Sequence, residues 1–331
     1  MAGELQKVLQ KDQAALYKVV SLPCPSQINV FIASTPESCN ICNNPLLVGV
    51  KYTEALRRAS AKALTLLKDF LSFSESRCVV LHILRGGINF SLREALFDAY
   101  GFNRHSSSFI SAQRRRTPDN PNQWEIVESN YQKMFLPEKA QVIIGDVSAT
   151  GTSLKHALTR INLWLKETGS NLSSFTFFTI GSPKALEVIS QWADTFPKES
   201  IPKINLVFFE GIFTVAEDDT PLTIKISGTD LIRLNALLSP EFYQASHQDP
   251  AFPVERCVIY DAGSRAFELP LYVEDLLNYW EKILELAKQG VTYKEYFNQR
   301  FPEGNCTPFS SCSLEELAKN QIKKIQSLLV N

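Results

Sequence analysis

The sequence has almost no net charge, because its 34 Lys and Arg residues are balanced by 35 Asp and Glu residues. It therefore lacks the global basic field that would attract nucleic acid or an acidic membrane surface. An anionic ligand would have to be held by local backbone N–H groups and individual arginines. We accordingly expect no nucleic-acid partner.

Long hydrophobic runs are also missing. The most apolar stretches, 175–181 and 206–213, are far shorter than a membrane span requires. The first residues lack the basic segment and apolar stretch of a signal peptide. These absences predict a soluble, cytoplasmic protein with no membrane partner.

The seven cysteines are too few and too scattered for a disulfide framework in a chain of 331 residues. Cys39 and Cys42 have the spacing of metal ligands, and Cys306 with Cys312 could complete four thiolates around zinc. The alternative is that all of these are ordinary reduced thiols. No other side-chain metal site is predicted.

Strand-like and helix-like patterns alternate along the chain. Apolar residues recur at helical spacing over 53–70, and again at Leu186, Ile189 and Trp192. Short, continuous apolar runs at 79–84, 142–144, 175–180, 205–209 and 258–260 resemble strands that are buried on both faces. The alternation predicts an α/β fold with a parallel, doubly wound sheet.

The segment 142–154 carries the clearest functional pattern. A buried strand ends at Asp146, and a loop of small residues then opens into an amphipathic helix. Small residues let backbone N–H groups at a helix start approach a phosphate closely. The candidate phosphate ligands are Ala149, Thr150, Gly151, Thr152 and Ser153. The alternative is an ordinary strand–turn–helix with a Ser/Thr cap.

This segment resembles the phosphoribosyl-diphosphate (PRPP) motif of type I phosphoribosyltransferases. The match consists of Asp146 and Ala149-Thr150-Gly151. In that family the loop holds the 5′-phosphate, and two acids bind the ribose hydroxyls. Here Gly145 occupies the position of the first acid.

Two further segments resemble diphosphate-binding parts of the same family. Arg85-Gly86-Gly87 follows the apolar run 79–84, and the resemblance implies that Arg85 and bare backbone grip the diphosphate. Residues 110–114 and 127–133, which flank a polar stretch, resemble the family's mobile hood, where Arg114 and Lys133 would flank the diphosphate. The alternatives are a tight turn with a surface arginine and a solvated loop.

The segment 261–267 resembles the base-binding loop of the uracil phosphoribosyltransferase branch. The resemblance implies that backbone groups around Asp261, Ala262, Gly263 and Ser264 bind the base. Ser264 stands where that branch has a second Asp, and Tyr260 where it has Gly.

The resemblance divides the chain into three parts. Residues 1–50 form an N-terminal extension, and residues 51–269 form the phosphoribosyltransferase-like domain, with an insertion at about 210–256. Residues 270–331 form a helical C-terminal extension, in which Ser313 and Glu316 have the spacing of a capping box.

The resemblance implies transfer of a phosphoribosyl group from PRPP to a pyrimidine-like base, as in pyrimidine salvage. Asp146 and Arg85 would be the catalytic residues, and Mg²⁺ would bind mainly through the diphosphate of PRPP. A homo-oligomer is compatible with this assignment. The alternative is an inactive module of the same fold that senses PRPP or a nucleotide, which the departures at Gly145 and Ser264 favour.

Overall fold

The computed structural model describes residues 3–22, 25–84, 86–117 and 120–329, apart from the side chains at 113–117, 120–124 and 128. Most strands join one ten-stranded sheet with the order β1-β2-β3-β11-β10-β9-β4-β5-β8, and β12 pairs with β11. These strands are β1 (Glu4–Lys11), β2 (Ala14–Val20), β3 (Ile28–Ser34), β4 (Cys78–Leu84), β5 (Ser106–Ser111), β8 (Gln132–Lys133), β9 (Ala140–Ser148), β10 (Leu172–Gly181), β11 (Lys203–Val215) and β12 (Leu231–Leu238).

The sheet is mixed, which corrects the prediction of a parallel one. The six central strands, β3-β11-β10-β9-β4-β5, are parallel to one another. Strands β2, β8 and β12 pair antiparallel with β3, β5 and β11 respectively, and β1 pairs antiparallel with β2. Five of the six central strands are hydrophobic on both sides, as parallel strands under two helical layers must be, whereas β5 is rich in serine and only partly buried. Strand β1 is largely exposed, so its sequence lacks that signal.

Helices cover both faces of the central strands. On one face, α1 (Pro36–Asn43), α2 (Gly49–Leu66) and α3 (Leu92–Tyr100) bury apolar side chains against the sheet. On the other face, α4 (Thr152–Thr168) and α5 (Pro183–Ala193) do the same. The predicted helix at 53–70 is confirmed as α2, which begins four residues earlier and ends in a 3-10 turn.

A third hydrophobic core belongs to the C-terminal helices. The short helices α6 (Pro240–Ala245) and α7 (Ala262–Phe267) lead to α8 (Leu269–Lys288), α9 (Tyr293–Arg300) and α10 (Leu314–Gln326). Trp280, Tyr279 and Phe297 are buried in this core. Ser313 caps α10 by accepting the N–H of Glu316 at 3.3 Å. The helical character predicted for this part of the chain is confirmed, and no described helix is long and apolar enough to cross a bilayer.

The run 258–260 is buried but is not a strand, so that prediction is wrong. Its apolar side chains enter the cores as irregular chain, which periodicity cannot distinguish from a short buried strand. The polar segment predicted as a loop contains an antiparallel hairpin, β6 (Gln113–Thr117) and β7 (Asn120–Glu128), which is separate from the main sheet. It lies against α4.

Residues predicted as an N-terminal extension are part of the main sheet. Strand β3 pairs with β11 along its length, from Ile28 opposite Ile204 to Ala33 opposite Phe209. Beyond this pairing, the fully buried carboxylate of Glu210 accepts hydrogen bonds from the Ser34 hydroxyl at 2.7 Å and the Thr35 N–H at 3.0 Å. Three strands of this segment, β1, β2 and β3, therefore belong to the main sheet.

Candidate active site

The predicted phosphate loop follows β9 at the carboxyl edge of the parallel strands. Gly151 precedes α4 with a φ of +76°, a backbone conformation that favours glycine. A Cβ at this position would also lie 2.9 Å from Cγ2 of Val188. Both the backbone conformation and the limited space require glycine at this position. The chain therefore enters α4 by a tight turn, and the backbone N–H groups at the start of the helix are the groups that could bind a phosphate.

Ser182, which follows β10 and caps α5, holds this loop through two hydrogen bonds. The hydroxyl of Ser182 donates to the carbonyl of Ala149 at 2.6 Å, and the Ser182 N–H donates to the carbonyl of Ser148 at 2.9 Å. Within the loop, the hydroxyls of Thr150 and Thr152 lie 2.9 Å apart. A phosphate bound here would have to replace the hydrogen bond between these two hydroxyls with hydrogen bonds from the hydroxyls to its own oxygens.

The second predicted loop lies directly against the first. A Cβ on Gly86 would lie 2.9 Å from Oδ1 of Asp146, and one on Gly87 would lie 2.8 Å from the carbonyl oxygen of Gly145. Asp146 is 8% exposed. The 3-10 turn Gly86–Phe90 can therefore approach this carboxylate and the end of β9 closely, because its first two residues are glycines and any side chain there would collide.

The missing first acid has a steric explanation. A Cβ at Gly145 would lie 2.5 Å from Cγ and 2.6 Å from Cβ of Phe90, which is fully buried. The Phe90 ring fills the space that a side chain at position 145 would need. Asp146 is therefore the one acid that the end of β9 presents.

The predicted base loop forms the short helix α7 beside this turn. Asp261 caps α7, because its Oδ1 accepts the N–H of Gly263 at 2.8 Å and that of Ser264 at 3.3 Å. The Asn89 side chain donates to the carbonyl of Ala262 at 2.8 Å, which ties α7 to the turn Gly86–Phe90. The structure thus brings the base loop and the diphosphate loop together, although some of the predicted base-binding groups already have internal partners.

Tyr52 of α2 packs against Arg265 of α7. Its side chain is fully buried, and its hydroxyl has no hydrogen-bond partner among the described residues. Burial raises the pKa of Tyr52, Arg265 opposes the rise, and the charges of Asp146 and Asp261 add to it. The carboxylates of both loops therefore raise the pKa of the same buried hydroxyl.

Arg265 of α7 joins Tyr52 to the end of α1 and the segment between α1 and α2. Its guanidinium carbon lies 4.5 Å from the centre of the Tyr52 ring. Its nitrogens donate to three backbone carbonyls, those of Ile41, Asn44 and Leu47, at 2.8–3.2 Å. The arginine of the base loop is therefore a buried structural group and is not available to a ligand.

The predicted diphosphate ligands Lys133, Arg114 and Arg85 are not brought to the site by any described side-chain contact. Lys133 lies in β8 with an exposed side chain, two residues after Tyr131, whose carbonyl accepts the N–H of Ser111 at 2.9 Å. Arg114 belongs to β6, but its side chain lies outside the described part, and Arg85 lies outside it altogether. Their predicted roles stay predictions.

The donor set fits magnesium held mainly by a substrate. Mg²⁺ commonly uses one or two carboxylates together with phosphate oxygens and water. Asp146 supplies one carboxylate beside a backbone that can accommodate a diphosphate. No group of three or more His, Cys, Asp or Glu side chains within the described ranges could hold a metal ion by itself.

The four-cysteine zinc site is wrong. Cys39 and Cys42 are buried beside α2, whereas Cys306 and Cys312 lie at the edge of the C-terminal core. The Cys39 thiol donates to Oε2 of Glu210 at 3.2 Å. Burial, with the charge of Glu210, raises the pKa of both Cys39 and Cys42, so these thiols stay protonated.

Sequence reasoning missed Tyr52, Asn89 and Phe90. Asn89 and Phe90 follow the Gly-Gly pair closely, and that proximity was the one signal available. Tyr52 looks like an ordinary apolar member of an amphipathic helix. Its partners come from distant parts of the chain, so no local pattern indicates its position.

Comparisons with known proteins return distant structural likenesses. No protein-family model matches, and no curated protein matches. A hypoxanthine phosphoribosyltransferase from Staphylococcus aureus is 17% identical over 62% of this chain and 89% of its own, with a TM-score of 0.27. A purine phosphoribosyltransferase from Pyrococcus horikoshii is 13% identical over 49% and 88%, with a TM-score of 0.26.

A hypoxanthine phosphoribosyltransferase from Trypanosoma cruzi is 15% identical over 60% of this chain and 96% of its own, with a TM-score of 0.28. These three structures are named for purine or hypoxanthine transfer, whereas the base-loop residues resemble the uracil branch. Likenesses this distant do not identify an activity.

Proposed function

We propose that this protein is an enzyme that transfers the 5-phosphoribosyl group of PRPP to a ring nitrogen of a base. The nitrogen bonds to C1′ of the ribose as the bond from C1′ to the diphosphate oxygen breaks. Diphosphate leaves, and the proton on the base nitrogen passes to solvent. The observation that carries the proposal is the contact of the Gly86-Gly87 backbone with Asp146 and Gly145, beside the loop that opens α4.

Each part of the site has a role in this reaction. Backbone groups from Ala149 to Ser153 bind the 5′-phosphate at the start of α4. The backbone of Gly86 and Gly87 faces the diphosphate, where negative charge develops as the bond breaks. Asp146 orients the ribose hydroxyls and faces the positive charge that develops on the ring. Magnesium, when bound through the substrate, would offset the charge of the diphosphate.

The base lies against α7 in this proposal. The Asn89–Ala262 hydrogen bond holds α7 next to the diphosphate turn, so base and leaving group bind side by side. The resemblance to the uracil branch favours a six-membered pyrimidine or a related heterocycle. Arg85, Arg114 and Lys133 complete the site as diphosphate ligands in the same proposal, and the setting is the cytoplasm.

One observation favours a second function. Phe90 occupies the space that a first ribose-binding acid would need, so the site has one carboxylate where the family has two. A protein with this site could bind PRPP or a nucleotide as a sensor without turning it over. Product formation separates the two functions, whereas ligand binding alone does not.

The test is mass-spectrometric detection of nucleoside monophosphates from PRPP, magnesium and a panel of pyrimidine and purine bases. An enzyme forms one product in amounts that exceed the protein, together with diphosphate. Asp146→Asn should lower turnover by about 10²–10³-fold, the size typical of a lost electrostatic group. PRPP binding without any product would establish the sensor.

Gly151→Val supplies the matched test of the phosphate loop. Its side chain meets Val188 and blocks the loop, so PRPP binding should disappear. Gly169→Val is the control, since Gly169 ends the same helix with a φ of +66° and has open space around it. Equal loss of PRPP binding in both variants would show that backbone strain, and not the loop, is responsible.

A further inference from the structure

Ser182 lies between the end of β10 and the start of α5, and it contacts the predicted phosphate loop with both its backbone and its side chain. Its N–H donates to the Ser148 carbonyl at 2.9 Å, and its hydroxyl donates to the Ala149 carbonyl at 2.6 Å. Two consecutive carbonyls of the loop therefore point to the same residue. In an extended strand consecutive carbonyls point to opposite sides, so the hydrogen bond from the hydroxyl marks the place where the chain leaves β9.

These two carbonyls determine where the next two N–H groups point. A trans peptide unit is planar, and its C=O and N–H bonds point in opposite directions. The carbonyl of Ser148 shares a peptide unit with the N–H of Ala149, and the carbonyl of Ala149 shares one with the N–H of Thr150. Both N–H groups therefore point away from Ser182. Successive N–H groups that face the same side form a concave binding site for an anion.

The side of the loop that faces Ser182 is closely packed against β10 and α5. A Cβ on Gly181 would lie 2.8 Å from the carbonyl oxygen of Ser148, and one on Gly151 would lie 2.9 Å from Cγ2 of Val188 in α5. The side chain of Ser182 is itself fully buried. A phosphate would therefore approach the loop from the opposite side, to which the two N–H groups point.

The Ser182 hydroxyl serves two elements at once. It accepts the N–H of Lys184 at 3.1 Å, which caps α5, and it donates its one proton to the carbonyl of Ala149. A methyl group in its place could do neither. The same oxygen atom therefore joins the start of α5 to the loop that opens α4.

We propose that Ser182 is a positioning residue, which fixes the Ala149 carbonyl so that the N–H groups of Ala149 and Thr150 bind the 5′-phosphate together. Ser182 does not touch the substrate. The assignment rests on the proposed function for the identity of the ligand, and it extends that function to a residue outside the loop. Without the hydroxyl, the peptide unit between Ala149 and Thr150 is free to rotate, and its N–H no longer points into the phosphate site.

The test is calorimetric titration of the full chain with ribose 5-phosphate and, separately, with magnesium diphosphate. Ser182→Ala should weaken the binding of ribose 5-phosphate about 10- to 100-fold, the loss expected for one hydrogen bond to a charged oxygen. It should leave diphosphate binding unchanged, because that ligand faces Gly86 and Gly87 in the proposed site. Ser182→Thr keeps the hydroxyl and should restore most of the affinity.

Two further variants separate positioning from stability. Ser182→Gly also removes the hydroxyl, but glycine caps a helix nearly as well as serine, so this variant should lose ribose 5-phosphate with a smaller fall in Tm than Ser182→Ala. Ser239→Ala is the matched control. Ser239 is likewise buried before a proline, caps α6 by accepting the N–H of Phe242 at 3.1 Å, and donates to Glu210 at 3.1 Å. Its loss should lower Tm and leave the binding of ribose 5-phosphate unchanged.

The proposal is overturned if Ser182→Ala and Ser182→Gly bind ribose 5-phosphate as the wild type does, if both ligands are lost equally, or if the wild type does not bind ribose 5-phosphate. Product formation from PRPP and a base is a separate measurement. A wild-type protein that binds ribose 5-phosphate in a Ser182-dependent manner but forms no product would support this assignment and contradict the proposed transfer.

Discussion

Gly145 and Phe90 offer a quantitative test of why the site has one acid. In Gly145→Ala the new Cβ would meet Cβ and Cγ of Phe90 at 2.6 and 2.5 Å. Because Cβ of Phe90 is fixed to its backbone, the ring cannot swing away, and the turn Gly86–Phe90 must shift. Such overpacking costs about 1–3 kcal/mol of the free energy of unfolding.

Phe90→Gly should relieve the conflict while creating a cavity, whereas alanine would keep the Cβ that lies 2.6 Å from the new methyl group. The single substitution should cost about 3–5 kcal/mol for the fully buried phenylalanine side chain, and roughly 0.5–1 kcal/mol more for the flexibility of glycine. In that background Gly145→Ala should cost almost nothing, since the methyl group enters the vacated space. The coupling between the two sites should therefore be about 1–3 kcal/mol, in the range found for residues in contact.

Urea unfolding of the wild type, the two single variants and the double variant measures this coupling. The free energies of unfolding follow from the midpoints, provided that the dependence of that free energy on urea concentration has the same slope in all four proteins. Gly290→Ala is the control partner, because Gly290 has a φ of +97° and open space around it. Its cost should be the same with and without Phe90. If Gly145→Ala costs as much in the Phe90→Gly protein as in the wild type, the steric explanation for the missing acid is wrong.

Three further predictions concern single residues. Burial lowers the pKa of His82 to about 4, so stability should fall by about 3 kcal/mol as pH falls from about 6.5 to 4, and His82→Phe should remove that slope in unfolding experiments. Burial raises the pKa of Glu255 to about 7, so stability should fall as pH rises from about 4.5 to 7, and Glu255→Gln should raise the Tm at pH 8 more than at pH 5. Asn89→Ala removes the hydrogen bond to Ala262 and should weaken base binding roughly 2- to 10-fold in calorimetry while sparing PRPP.

Each prediction has an outcome that contradicts it. The two pH effects have opposite signs in overlapping windows, so each variant is compared with the wild type at every pH. His105 and His156 also have lowered pKa values, and a slope that survives His82→Phe would assign the effect to them. A uniform rise in Tm for Glu255→Gln would point to packing instead of ionisation. Equal losses of base and PRPP binding for Asn89→Ala would make Asn89 a residue of general stability.

The central part of the fold was predictable because its signals are local. The run 142–144 lies within β9, and Leu154, Ala157, Leu158 and Ile161 of α4 are all buried as their spacing predicted. The bend at Gly151 was predictable for the same reason, since glycine between small residues before an amphipathic helix indicates a tight turn.

The rest depended on contacts between distant residues. Nothing near Phe90 shows that its ring faces Gly145, and the Asn89–Ala262 hydrogen bond joins residues 173 positions apart. The antiparallel strands β1 and β2 were missed because Pro23, Pro25, Pro36 and Pro45, which follow them, suggested that the first fifty residues form an irregular chain. The run 258–260 was misread because a buried apolar stretch satisfies a strand pattern even when it pairs with nothing.

The position of β3 bears on how the protein is made. Its partner strand β11 follows about 176 residues later, from Ile28 to Ile204. At synthesis rates of about 5–20 residues per second, that interval is roughly 9–35 s. Throughout it, the backbone N–H and C=O groups on one edge of β3 lack the strand with which they finally pair. The nascent chain must therefore wait with one edge of its sheet open, and we expect molecular chaperones to occupy that edge until β11 leaves the ribosome.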